Sequence, residues 1–600
     1  MARAVELLDH RGPDDHGIWG DETTLLGHTR LSIIDLGGST QPMASGDGRY
    51  QLVFNGEILN YHELRAALGD RTFRTSGDTE TLLATMETFG IDGLDKMRGQ
   101  FAFALYDTTD NSLLLARDRM GVLPLYYGRF GDQVVFGSEI KALHAAADQR
   151  PEVDPGTLDG FLAHRTVPAP ETLFKGIRKV RPGHFVRIAS DGSITERPYW
   201  SVDDIEPRDV SPEEAVELVA AQLRESVQEA LIADVPVGAY LSGGVDSSLI
   251  VALIAELRGS APLSTFSAGF TDSPLNELPY ARQVADLLGT DHHETIIDPD
   301  TFESNWAKLT WHRDAPLSEP ADIAVFQLAS MARQHVKVVL SGEGSDELFA
   351  GYPKYRAAAT ANRLGALPNV VRQPAARLIE RGLPVGQSKL RTAVRSLSGS
   401  TRAERHRSWF APFTEQERAQ LLGRPPRRAA DPAEGLHVID EMLRADLTAW
   451  LADNLLERGD RMSMAASLEL RPPFLDPRLV ELAFSLPPSV KVRDGVTKWV
   501  LKEVARRHLP ESIVDRRKVG FRVPLEAWFR TGLRDMAHDR LLNPSGFVGT
   551  HLDRDVVAGL LDSHDRGRRD EENRIWTLLC LEMWHEVFFT GPQAFVPAEA

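Results

Sequence analysis

The segment Ser242-Gly243-Gly244-Val245-Asp246-Ser247-Ser248 constrains this chain more than any other. It follows a strand-like run, Val235 to Leu241, and precedes an apolar run, Leu249 to Leu257, that reads as a buried helix. A loop of small residues between a strand and a helix start is built to take an anion. Glycines let backbone N–H groups approach it, and the helix start adds unpaired donors and a positive dipole end. Three serine hydroxyls add further donors, and Asp246 is placed to hold magnesium against phosphates. A bare Gly-Gly turn needs no ligand, but seven residues of this type in this setting point to one. No Gly-Lys-Ser/Thr follows, so the loop is not of the Walker type.

Six hundred residues exceed one hydrophobic core, so two or more domains are expected. The 68 basic and 86 acidic residues leave a net charge of −18, which argues against general affinity for nucleic acid or anionic membranes. No apolar run of about 18 residues marks a transmembrane helix, and the N-terminus lacks a signal-peptide core. A cytoplasmic location is the default expectation. The single cysteine, Cys580, excludes an internal disulfide and a cysteine-based zinc site. Its surroundings, Trp576 to Trp584, have helical apolar spacing, which predicts a packed core thiol.

Residues 1 to about 200 hold short β-like runs separated by turn residues, such as Gln51 to Phe54, Phe101 to Tyr106, Leu113 to Ala116 and Val134 to Phe136. Val202 to Pro212 is acidic and reads as a linker, and a helix is expected from Pro212 to Ala233. Beyond it, strand-like and helical segments alternate as a parallel α/β sheet requires, with strands at Ser264 to Ala268 and Val336 to Leu340. Residues 355 to about 430 are arginine-rich and helical. Without interleaved aromatics they read as a solvated insert, not a nucleic-acid surface.

A second loop, Ser341-Gly342-Glu343-Gly344-Ser345-Asp346-Glu347, follows the strand ending at Leu340. Ligands of open parallel sheets sit at the carboxyl ends of strands, so both loops point to one edge. Asp246 and Asp346 would face a common magnesium site, and Glu343, between glycines, suits a general base acting on an amine. A third block runs from Leu455 through Arg458 and Asp460 to Met464, then on to Asp476, and reads as a helix and loop packed beneath the site. Lys498 is a candidate cation for phosphates or transition-state charge. Asp291-His292-His293-Glu294 has metal-ligand composition but is read as structural.

The first loop is similar to the pyrophosphate loop of enzymes that split ATP into AMP and pyrophosphate. Together the three blocks resemble the synthetase domain of the asparagine synthetase family, over nearly the whole chain. The resemblance implies ATP and Mg2+ as cofactors, adenylation of a side-chain carboxylate, and attack of ammonia on the acyl-adenylate. It implies ATP and pyrophosphate binding by Ser242, Gly243, Gly244, Asp246, Ser247, Ser341 and Gly342, and magnesium at Asp246 and Asp346. Glu343 would be the base and Lys498 would steady the leaving group. Related β-lactam-forming synthetases have tyrosine at the position of Glu343, which favours ammonia over ring closure.

The N-terminal motifs His10 to Asp15, Arg30 to Asp35, Asn55 to Ile58 and Ser76 to Glu80 resemble the glutaminase domain of the same family. The implied fold class is α/β and α+β in two domains. An N-terminal-nucleophile-hydrolase-type αββα sandwich precedes a parallel α/β ATP-pyrophosphatase-type synthetase domain. The expected division is a truncated glutaminase-like domain at 1–200, a linker at 201–211 and the synthetase domain at 212–600. Arg30 would bind the glutamine carboxylate, Asp78 its amino group, Glu57 would assist, and Asn55 and Gly56 would form the oxyanion hole. Taken alone, Asn55-Gly56 reads as a hairpin turn. Partners would be small molecules, with no nucleic acid and no membrane. The sequence does not give the oligomeric state; family members are often dimers, so the resemblance leaves a homodimer open.

Two departures matter. The family opens Met-Cys-Gly-Ile and uses that cysteine as nucleophile, with about 20 residues ahead of the His-Arg-Gly-Pro-Asp motif. This chain opens Met1-Ala2 and has nine residues there, so a strand and the nucleophile are missing. Either the true start lies upstream, which the retained glutamine-site residues favour, or the chain uses free ammonia. As the sequence stands, no glutaminase activity is expected. Second, aspartate-specific members carry a Thr-Thr-Ile-Arg segment where this chain has Trp311 to Asp322, and by position the arginine becomes Ala321. The usual carboxylate clamp is absent, which leaves aspartate or a related acid, including a natural-product carboxylate. An intramolecular cyclase and a non-catalytic binding protein are the alternative readings.

Overall fold

The structure, a computed structural model, describes residues 1–270, 276–357, 367–383, 388–427, 435–516, 523, 525–530 and 532–590. The N-terminal half supplies β1 (Asp15–Gly20), β2 (Leu25–Arg30), β3 (Met43–Ala44), β4 (Tyr50–Ile58), β5 (Gly99–Asp107), β6 (Ser112–Arg117), β7 (Tyr126–Phe130), β8 (Gln133–Gly137), β9 (Ile177–Lys179), β10 (His184–Ile188) and β11 (Ile194–Pro198). Six of these form an antiparallel sheet in the order β11-β10-β6-β5-β4-β3. The helix Asp78–Phe89 packs on β4, while the helices Ala2–Glu6 and Ile140–Ala147 cover β2 and β8. The sandwich is therefore recognisable, but its second layer comes in two pieces, β1-β2 and β8-β7-β9. Among the described residues β2 pairs only with β1 and β8 only with β7, so each has one edge without a strand partner.

The second half is built on five parallel strands, β12 (Val237–Tyr240), β13 (Ser264–Phe270), β14 (Asp291–Ile297), β15 (Val338–Leu340) and β16 (Glu469–Arg471), in the order β14-β13-β12-β15-β16. The chain leaves β12 toward β13 and β14 on one side, then returns to place β15 on the other. The strand order thus reverses between β12 and β15, the position where an open α/β sheet leaves a crevice. The helix after β12 runs Val245–Arg258, with Gly244 before it, and stops at Gly259, whose φ of 60° ends the helical path. Leu249, Ile250, Val251, Leu253 and Ile254 are buried along it, each worth about 1.5–3 kcal/mol. The helix begins four residues earlier than its apolar run, so Asp246, Ser247 and Ser248 lie on the first helical turn and not in the loop.

The cores do not divide near residue 200. Tyr126, Phe161 and Phe174 share a cluster with Trp576 and Trp584, and Phe174 meets Trp584 edge-on at 5.2 Å. Between the halves, Val202–Asp204 forms a single turn with Val202 buried, and Ser211 caps the helix Pro212–Ala230 through the Glu214 N–H. The arginine-rich stretch is less solvated than its composition implies. Arg418 is fully buried between Asp159 and Glu404, and Arg395 pairs with Glu417, so part of that charge is spent on internal pairs. Residues 358–366, 384–387 and 428–430 of this stretch lie outside the described residues.

Candidate active site

The two glycine loops meet at the strand-order reversal. Gly243 has φ 68°, and a Cβ there would stand 2.6 Å from the Ala281 nitrogen, so only glycine fits. Gly342 is as tightly placed: a Cβ would lie 3.1 Å from both Asp246 Cβ and the Ser247 nitrogen. Within the first loop the Ser242 N–H donates to Ser247 Oγ at 3.1 Å, and the Gly244 N–H donates to Ser242 Oγ at 3.3 Å. The hydroxyls thereby fix the loop as an open cradle at the helix start. Arg516 stands beside it. One guanidinium nitrogen would be 3.9 Å from a Cβ on Gly244, and the group donates to Glu277 at 2.7 Å over the Tyr280 ring.

Asp246 and Asp346 do face one another, as the loops predict, and Lys498 lies between them. Its Nζ is 2.7 Å from Asp246 Oδ2, 2.7 Å from Asp346 Oδ1 and 2.9 Å from Ser345 Oγ. Lys498 reaches this position from the end of a two-strand hairpin, β17 (Val492–Arg493) and β18 (Val496–Thr497). Glu343 stands apart, with its Oε2 buried and without a hydrogen-bond partner. Burial raises its carboxyl above the ordinary range, against a lowering pull from Arg458, whose nearest nitrogen is 3.9 Å away. Arg458 sits on the helix Glu457–Met464, whose Gly459 leaves room for the Glu343 carboxylate. Burial, together with the Glu343 charge, raises the Tyr240 phenol.

The glutamine-type residues gather around a cavity of about 210 Å³. Arg30, Asn55, Gly56, Glu57 and Asp78 line it, and so do Glu343, Asp460 and Glu469. One cavity therefore touches both halves of the chemistry. Asn55 and Gly56 are not a hairpin turn: β4 runs straight through them, with Gly56 at φ 129° and no space for a Cβ against the Gln100 carbonyl. Asn55 Nδ2 is buried without a partner. Arg30 donates to the Ile34 and Asp35 carbonyls at 3.2 and 2.7 Å, and Asp78 accepts from the Ile58 N–H at 2.9 Å. Burial pushes Asp78 up to about 6, and burial together with Asp78 raises Glu57 well above its ordinary value. Arg471 of β16 stands 3.6 Å from Glu57. His28 also lines the cavity, and burial holds it down to about 4, so it is neutral.

No cysteine lines this cavity. Cys580 lies on the helix Glu572–His585, fully buried, and burial raises its thiol well above the ordinary range, as a core thiol requires. The gap in the second layer opens onto the same space. Leu25, Gly27, His28 and Thr29 of β2 face it from one side, and Val134 to Gly137 of β8 from the other.

Comparison with known proteins agrees with this geometry. The asparagine synthase family model matches residues 218–586, and a glutamine amidotransferase domain model matches residues 1–200. The chain belongs to the asparagine synthase family. It is 35% identical over 596 residues to asparagine synthetase (glutamine-hydrolysing) 1 of Bacillus subtilis, covering 97% of this chain and 92% of that enzyme. A putative asparagine synthetase of Mycobacterium bovis is 35% identical over 616 residues, with 98% and 93% covered. Among solved structures, the glutamine phosphoribosylpyrophosphate amidotransferase of B. subtilis overlaps 49% of this chain and 65% of its own, at 18% identity and a TM-score of 0.26.

The segment around Ala321 is held by ion pairs. Ala321 opens the helix Ala321–Ala332, and Arg165 from the N-terminal half makes a two-point pair with Glu319 at 2.8 and 3.0 Å. Asp322 accepts from Arg313 at 2.9 Å. Asp291, His292 and His293 form an edge strand in which His293 reaches Asp291 at 3.0 Å. Among the described residues no group of three or more His, Cys, Asp or Glu could hold a metal ion. Nor is any helix of those residues long and apolar enough to cross a membrane. Sequence reasoning missed Arg516, Arg471, Arg165 and the direct contact of Arg458 with Glu343. Arg516 and Arg165 are lone arginines and Arg458 and Arg471 belong to the charged block from Leu455, but each reaches a partner far along the chain, so no spacing marks the contact.

Proposed function

We propose that this chain is an ATP-dependent amide synthetase that adenylates aspartate or a related acid and passes ammonia to the acyl-adenylate. The observation that carries the reading is the single cavity that joins Glu343 to Asn55, Glu57 and Asp78, beside two phosphate-type loops in contact. The Ser242–Ser247 cradle takes the β- and γ-phosphates by backbone N–H groups and hydroxyls, and Arg516 adds a cation at its rim. Attack of the acceptor carboxylate on the α-phosphorus forms the acyl-adenylate and releases pyrophosphate, whose charge Lys498 balances. Glu343 takes a proton from the attacking nitrogen; a carboxyl raised by burial is a stronger base than an exposed one.

The acidic pair fits magnesium. Asp246 Oδ1 is buried without a hydrogen-bond partner, and magnesium is usually held by one or two carboxylates plus phosphates and water. Asp246 and Asp346 would hold it, and it would neutralise phosphate charge as pyrophosphate leaves. Arg30, Glu57 and Asp78 form a pocket for glutamine, yet the cavity offers no thiol to attack it. Ammonia would come from glutamine where an upstream start supplies the cysteine nucleophile, and otherwise from solution.

The test is a single reaction containing ATP, magnesium, aspartate, heavy-nitrogen ammonium and ordinary glutamine, read by product mass. Heavy asparagine supports the reading in full. AMP and pyrophosphate without asparagine moves the acceptor to another acid. Light asparagine overturns the assignment of the nitrogen source.

A further inference from the structure

Lys498 does more here than face a leaving group. Its side chain is buried, and its ammonium donates to Asp246 Oδ2 at 2.7 Å and Ser345 Oγ at 2.9 Å and pairs by charge with Asp346 Oδ1 at 2.7 Å. Its backbone is held in the left-handed region, φ 55° and ψ 32°, where a residue with a side chain is strained. Gly351 provides the space. A Cβ on that glycine would lie 2.1 Å from Lys498 Cε and 1.8 Å from Asp346 Oδ1. Three distant segments and a glycine thus shape one seat for one ammonium.

That seat coincides with the place of the metal. Both carboxylate oxygens lie within hydrogen-bond distance of Nζ, so a magnesium bound to both at about 2.1 Å would fall on or beside it. Two cations cannot share the position. We propose that Lys498 is the resident cation of the magnesium site in the nucleotide-free enzyme, and that magnesium enters only when the triphosphate draws the lysine away. This rests on the reading of Asp246 and Asp346 as the metal pair. An ammonium expelled without a new anionic partner would be left buried and unpaired, which is costly. The triphosphate in the adjoining Ser242–Ser247 cradle supplies that partner. Metal and nucleotide then favour each other's binding, and departure of magnesium with pyrophosphate lets the lysine return and reset the site.

Manganese serves as the probe, measured by electron paramagnetic resonance on the full chain. Asp246→Asn gives the background binding of this acidic protein. The wild type should show Asp246-dependent manganese binding only with an ATP analogue whose α–β bridge cannot be cleaved. Lys498→Met should show it without nucleotide, with affinity raised about tenfold or more. Lys498→Gln, which removes the charge but keeps a polar side chain in the seat and leaves both aspartates untouched, should also raise nucleotide-free binding, and it decides the matter if Lys498→Met does not fold. Equal nucleotide-free affinity in wild type and variants, with an Asp246-dependent site still formed alongside nucleotide, overturns the inference and leaves the metal assignment standing. No Asp246-dependent manganese in any sample overturns both.

Discussion

The two ends of the shared cavity are unequally equipped. At one end, two glycine loops, Lys498, Asp246, Asp346 and Glu343 converge on a sheet edge, and each is placed by its neighbours. At the other end, the residues proposed to recognise glutamine line the cavity around Asn55 and Asp78, beside a layer that among the described residues comes in two pieces. Binding geometry and reactive group are thus separable. A pocket can keep the first without the second, because recognition needs several fixed donors and acceptors whereas attack needs one activated nucleophile.

The largest effect is expected where the ends are joined. Glu139 is buried among His10, Arg11, Lys141 and Arg461. Burial alone would raise it, yet His10, Lys141 and Arg461 hold it well below its ordinary value. Its stabilisation is present above the ordinary carboxylate range and is lost as pH falls through that lowered value. Glu139→Ala should cost about 3–5 kcal/mol in urea unfolding, since it strands several buried cations. A loss below 1 kcal/mol would mean that the ends are only loosely connected.

Next comes the base. Glu343→Gln should lower amide formation about 10²- to 10³-fold while leaving acceptor-dependent exchange of pyrophosphate into ATP within a few-fold. Equal loss of both would place Glu343 in adenylation and erase the division of labour at that end. A smaller effect is expected from Arg458→Met. It removes the charge that lowers Glu343, so the acid limb of the rate against pH should move to higher pH. A limb that stays in place would detach Arg458 from the base. The smallest effect is none: glutamine offered in place of ammonium should release no glutamate above background. Glutamate release would show that the glutamine end has a nucleophile after all.

What could be read from sequence follows the range of the forces involved. The strand–loop–helix signature at Ser242 and the strand β15 are local, and both fall where their residue patterns put them, apart from a helix start four residues ahead of its apolar run. The convergence of Asp246 and Asp346 followed from sheet topology alone. By contrast, Asn55-Gly56 has turn composition but lies within β4, because nine-residue pairing with β5 overrides the local preference. Arg471 reaches Glu57 only because β16 joins the sheet next to β15, a pairing of segments far apart in the chain. The arginines after residue 390 look solvated by composition, yet Arg418 is buried by its carboxylate partners Asp159 and Glu404. Long-range ion pairs leave no periodicity to find.

The helix Glu457–Met464 ties these regions in a way that bears on inheritance. It directs Arg458 toward Glu343, and its next residues run into the N-terminal half, where Asp460 takes a two-point bond from Arg11 and Arg461 meets Glu139. The wall behind the base is thus supported by residues of the other lobe. A descendant that gave up glutamine chemistry could not shed that lobe without loosening its own synthetase. Selection on amide formation alone would therefore also maintain the N-terminal lobe, as a building keeps a room whose walls carry the floor above.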